Sequence, residues 1–186
     1  MKTAMEMQYL GNKDFLKLPK TAFLAASTIP PDMVLKCYDW AVSMANEGQC
    51  VISGFSSHLE REVLHFLMKG RCPIILVLAR QMYKQVPQEL QALLDENRLL
   101  VISFSNAVRQ SKTTALARNK YICEIADQIV FVGVNEKSSL KTLSQGLAPG
   151  CHKNVKMQKS KNRGASEWGA PLFFCNLGPD PRGYEC

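Results

Sequence analysis

The chain has 186 residues, enough for one domain with a sizeable core and short for two. Apolar residues make up 46% and charged residues 21%, a soluble globular mixture that excludes a disordered or fibrous chain. Lysine and arginine outnumber aspartate and glutamate 23 to 16, a net charge of +7 that favours anionic partners such as nucleic acid or phosphorylated ligands.

The amino terminus, MKTAMEMQYLGNKDFLKL, lacks the apolar core and cleavage site of a secretory signal, and no run is long enough to span a membrane. The seven cysteines are odd in number and without CxxC spacing, which suits a reducing cytoplasm and argues against a disulfide framework or a zinc site. A cytoplasmic protein with no metal and no cofactor is expected.

Taken in chain order, TAFLAAS (Thr21 to Ser27) is an apolar run of strand length. A helix follows, with Val34, Cys37, Ala41 and Met44 on one face, Pro31 at its start and Gly48 at its stop. CVISG (Cys50 to Gly54) is a second buried strand, followed by a helix carrying Leu59, Val63, Phe66 and Leu67. PIILVLA (Pro73 to Ala79) and LLVISF (Leu99 to Phe104) are strands covered on both faces, with the short helix VPQELQALLDEN between them. A helix over Thr113 to Ala126 leads to a fifth strand, QIVFVGV (Gln128 to Val134), and SSLKTLSQG begins another helix. This alternation predicts an α/β fold, a Rossmann-like, doubly wound and mainly parallel sheet with helices on both faces. The core is expected over residues 1–147. Residues 148–186 read as a flexible basic segment without apolar periodicity, mobile over Ala148 to Gly169, with a last strand at Leu172 to Leu177.

In such a sheet, strand ends and helix starts meet at one edge, where free amide N–H groups and helix dipoles attract anions. Ser53, Gly54, Ser56 and Ser57 form a hydroxyl-rich turn after the second strand, although Ser57 and Glu60 also make an ordinary S-x-x-E capping box. After the fourth strand, Arg109, Lys112, Arg118 and Lys120 occur with no acidic residue between Ser105 and Lys120. Ser138, Ser139 and Thr142 open the helix after the fifth strand, where capping explains the serines equally well. There is no Walker loop, G-x-S-x-G elbow, H-E-x-x-H or GxGxxG, and His58, His65 and His152 have no evident catalytic partner.

VISGFSSHLE, LARNKYICEIADQIVFVGV and NEKSSLKT together resemble, in order and spacing, three motifs of the DprA/Smf family of DNA-processing proteins. The resemblance runs from about Thr21 to Thr142. It implies a Rossmann-like core that binds single-stranded DNA, assists recombinase loading and forms a homodimer. It also implies a phosphate site at Ser27, the serine turns and Arg118-Asn119-Lys120, with Arg118 and Lys120 on phosphates and Asn119 fixing geometry. The chain departs from the pattern in four places. An arginine is lost near Ser27 and Thr28, Ser56 and Ser57 replace an alanine-arginine pair, Glu60 replaces an aspartate, and the glycine of the last turn is missing. A non-catalytic sensor of a phosphorylated, nucleotide-like molecule is the alternative. Phosphoribohydrolase chemistry is not expected, because the PGGxGTxxE signature of those enzymes is absent.

Overall fold

A computed structural model describes residues 7–134, 139–146 and 154–158. The strands are β1 (Gln8–Gly11), β2 (Lys20–Ala25), β3 (Cys50–Ser53), β4 (Ile74–Leu78), β5 (Leu99–Ser103), β6 (Gln128–Val132) and β7 (Asn154–Gln158). They make one sheet in the order β1-β5-β4-β3-β2-β6-β7. The helices are α1 (Pro31–Glu47), α2 (His58–Met68), α3 (Gln88–Asp95), α4 (Lys112–Ile125) and α5 (Ser139–Gly146).

The five strands expected from the sequence are mutually parallel, and β2 through β5 are almost entirely buried, which is why their sequences run apolar without alternation. Two strands lie outside that expectation. β1, within the polar lead-in, pairs antiparallel with β5, Gln8 opposite Ser103 and Gly11 opposite Leu100. β7 falls inside the segment read as flexible and pairs parallel with β6, Asn154 opposite Gln128 and Gln158 opposite Val132. The last strand expected at Leu172 to Leu177 lies outside the described residues.

Helices α1, α2 and α3 cover one face through Met33, Cys37, Ala41, Leu59, Val63, Leu67, Leu90 and Leu93. Helices α4 and α5 cover the other through Ile122, Cys123, Ala126 and Leu140. The chain leaves β2 in one direction toward β3 and returns on its other side as β6. The switch point of this doubly wound sheet therefore lies between β2 and β6. At that point Gly133, at φ 69°, follows β6, and a side chain there would press into Ile29 and the Thr28 carbonyl. The exits of β2 and β6 are thus in direct contact. Among the described residues no helix is long and apolar enough to cross a membrane.

Candidate nucleic-acid interface

Because β2 to β6 run parallel, their exits open on one edge. The exits carry Ser27 after β2, the Gly54 to Ser57 turn after β3, Arg80 after β4, the loop to Lys112 after β5 and Gly133 after β6. Helix α5 begins at Ser139 on the same edge and exposes Thr142, while Ser138 lies outside the described residues.

The turn after β3 is built around Glu60. Ser57 caps α2 by accepting from the Glu60 N–H at 3.2 Å, and the Glu60 carboxylate accepts in return from the Ser57 N–H at 3.0 Å. The same carboxylate accepts from the Ser56 N–H at 2.8 Å and the Ala25 N–H at 3.1 Å, and it is only 3% exposed. Its three backbone donors explain how a buried carboxylate is tolerated. They also mean that the amides at the start of α2, which an incoming anion would use, already serve the protein's own carboxylate. Phe55 completes the turn at φ 43°, unusual for a residue with a side chain, and its N–H donates to Ser53 Oγ at 3.2 Å.

Arg118 approaches from the other face of the sheet and is 3% exposed. Its Nε and Nη2 both donate to Asn119 Oδ1, at 3.0 and 2.9 Å, Nη1 donates to Gln110 Oε1 at 3.2 Å, and Nη2 donates to Ser56 Oγ at 3.1 Å. Ser56 Oγ donates its own proton to Glu60 at 3.3 Å, so one hydroxyl links the buried cation to the buried anion. Burial pushes the Arg118 guanidinium below the ordinary arginine range, and the negative charge of Glu60 opposes that shift. The guanidinium also fills the space beside Gly54, where any Cβ would collide with it. Gly54 therefore admits the arginine, in addition to any ligand. Glu124 and Asp127, the carboxylates that compete for Arg118 on sequence grounds, are not among its bonded partners. Asp127 instead accepts from the backbone N–H of Lys20 at 2.9 Å and from its Nζ at 3.2 Å, at the opposite edge.

The other basic residues divide by position. Arg109 and Lys112 are exposed, on the loop after β5 and the first turn of α4. Lys120 is exposed as well, but it stands on the outward face of α4 with Lys112 and Leu116, turned away from Arg118 and Asn119. The structure thus gathers Ser53, Gly54, Ser56, Ser57, Arg118 and Asn119 into one network and leaves Ser27, Arg109, Lys112 and Lys120 facing solvent. Two residues absent from the sequence-based site also sit on this edge. Arg80, exposed directly after β4, lies over the ring of Tyr83 with its Cζ 4.9 Å from the ring centroid. Among the described residues no cluster of His, Cys, Asp and Glu is arranged to hold a metal ion.

Across residues 2–168 the chain matches the family of DNA recombination-mediator protein A. It belongs to that family. No curated protein matches it. Among solved structures, DNA processing protein A from Helicobacter pylori, described with a unique single-stranded DNA binding mode, superposes with a TM-score of 0.64 at 16% identity, covering 86% of this chain and 75% of that one. DprA from Streptococcus pneumoniae gives 0.63 at 20% identity, covering 80% of this chain and 53% of that one. This chain therefore spans about half the length of the pneumococcal protein. The molybdenum cofactor binding protein of Rippkaea orientalis gives 0.51 at 16% identity, covering 74% of each chain. At these identities the likenesses establish the DprA-type Rossmann-like fold.

Proposed function

We propose that this DprA-family chain binds single-stranded DNA along the carboxyl edge of its sheet, in the cytoplasm, as part of DNA processing or recombination. The observation that carries the reading is the segment from Ser105 to Lys120. It has no acidic residue, it exposes Arg109 and Lys112 at the carboxyl edge after β5 and Lys120 on the outward face of α4, and none of those three has an ion-pair partner among the described residues. Unpaired surface cations are what a polyanion recruits, because each phosphate contact releases a condensed counterion. Family membership supplies the choice of DNA among polyanions.

Within this reading Arg109 and Lys112 meet phosphates, while Arg118 and Asn119 hold the turn that Gly54, Ser56 and Ser57 present. Ser27, exposed after β2, and Thr142, exposed on the first turn of α5, stand on the edge where β2 and β6 end, and Ser139 begins α5 there. That edge is also where a phosphorylated, nucleotide-like molecule would sit in the alternative reading. Homodimer formation and a recombinase partner belong to the same proposal, as properties implied by the family.

The test is fluorescence anisotropy of a labelled oligothymidylate titrated with protein over a range of salt concentrations. Arg109→Ala combined with Lys112→Ala should weaken binding and make the slope of log affinity against log salt shallower by about 1.4, roughly 0.7 for each phosphate left without its cation. An unchanged slope in the folded double variant removes these residues from the interface. Complete displacement of the oligonucleotide by a mononucleotide would favour the small-molecule reading.

A further inference from the structure

The loop after β4 carries a feature that the phosphate site does not explain. From Ala79 to Gln88 the sequence, ARQMYKQVPQ, contains Arg80 and Lys84 and no acidic residue. The loop is fastened to its neighbour in two places. The Ser103 hydroxyl, at the end of β5, donates to the Arg80 carbonyl at 2.7 Å, and the Gln81 N–H donates to the Ala107 carbonyl at 2.8 Å. The second bond lays the segment from Arg80 to Lys84 against the one that leads to Val108 and Arg109. Met82 and Tyr83 are partly buried and pack on the core beneath α1 to α3, so the Tyr83 ring is a fixed support.

Arg80 lies over that ring, and its guanidinium makes no side-chain hydrogen bond and no ion pair among the described residues. Its backbone is pinned and its Cζ sits over an aromatic ring at 4.9 Å, yet its donors are unspent. A guanidinium that lies parallel to a tyrosine face spends none of its in-plane N–H groups on the ring, and Arg80 is exposed to solvent. A flat, cationic surface of this kind accepts a nucleobase by stacking, without regard to base identity, while its edge remains able to meet a phosphate. Nearby Val108 is 69% exposed, an apolar side chain beside the same strip.

We infer that Arg80 backed by Tyr83 is a stacking platform for a base of the single strand, and that it extends the binding path from the switch point across the exits of β3, β4 and β5. The inference rests on the single-stranded DNA reading above and deepens it. β4 stands two strands from β2, about 10 Å at the usual strand spacing, so one short stretch of single strand spans the β2 exit and the platform together.

The experiment compares wild type, Arg80→Ala and Arg80→Lys on oligothymidylate and on a matched abasic sugar-phosphate oligomer, with thermal melts confirming that each variant is folded. Arg80→Ala should weaken oligothymidylate binding about tenfold. Arg80→Lys, which keeps the charge and removes the plane, should lose most of that affinity with little change in salt slope. On the abasic oligomer, wild type and Arg80→Lys should bind alike. Equal binding of wild type and Arg80→Lys to oligothymidylate overturns the platform and leaves a point charge. Unchanged binding of Arg80→Ala, with the Arg109 and Lys112 double variant still impaired, overturns the platform and preserves the DNA reading. No binding of oligothymidylate by folded wild type overturns both.

Discussion

Two arginines reach the same edge of the sheet and are held in opposite ways. Arg118 is enclosed, its N–H groups committed to Asn119, Gln110 and Ser56 and its charge balanced through Ser56 by Glu60. Arg80 stands in solvent, steadied by a ring that takes none of its donors. The contrast separates two tasks that a count of positive residues merges. A buried arginine whose donors are spent builds the site, whereas an exposed one supported without hydrogen bonds is available to a ligand.

The sharpest way to break that distinction is to remove each arginine and measure stability. Arg118→Ala leaves a buried carboxylate without its nearby cation and several acceptors without a donor, so urea unfolding should show a loss of about 3 kcal/mol. Arg80→Ala should stay within about 0.5 kcal/mol of wild type, as surface substitutions do. A stable Arg118→Ala protein would return Arg118 to the ligand.

Glu60→Gln tests the same network from its other end. An amide can accept at one of the two oxygen positions but places N–H groups against N–H groups at the other, among the Ala25, Ser56 and Ser57 amides. A loss of about 2 kcal/mol is expected. Gly54→Ala should cost about 1–3 kcal/mol by forcing the Arg118 guanidinium off the turn, and combining it with Arg118→Ala should give less than the sum of the two losses.

The smallest effect concerns pH, and it marks a part of the molecule independent of both arginines. Burial pushes the Cys37 thiol up to about 11 and the Cys50 thiol up to about 12. In the unfolded chain these thiols ionise near the ordinary cysteine value, so between there and their raised values the folded state holds more protons. Their contribution is complete below the unfolded value and is lost as pH rises through the folded ones. Melting temperature should therefore fall on the alkaline side, and Cys37→Ser combined with Cys50→Ser should flatten that fall even if the variant is less stable throughout.

The fold was legible because its central strands are covered on both faces and must read as continuous apolar runs. Pro31, Gly48 and the pair Ser57 and Glu60 punctuated the helices between them. The two outer strands were harder for different reasons. β1 is four residues long and partly exposed, so it offers little apolar signal. In β7, Val155 and Met157 alternate with lysine and polar residues, a period of two that the surrounding basic composition concealed. The site was legible in its location and less so in its roles. Charge alone placed Arg118 on the surface, yet Ala115, Arg118, Asn119, Ile122 and Ala126 share one helical stripe, and that spacing marks Arg118 and Asn119 as facing the sheet. Arg80 carried the simplest signal available, a cation directly after a buried strand, in a stretch whose meaning depends on a loop more than twenty residues away.

The carboxylate of Glu60 on the amides of the Gly54 to Ser57 turn bears on selectivity. A lone phosphate or sulfate ion finds the start of α2 already neutralised from within, and it would have to displace a buried, triply bonded group to settle there. On the proposed single-stranded DNA reading a polymer faces no such contest, because it would gather several weak contacts from Arg80, Arg109 and Lys112 at once, each raising the local concentration for the next. On that reading the turn would filter by length: small anions would gain little from this edge, and a chain of linked phosphates would gain from all of it.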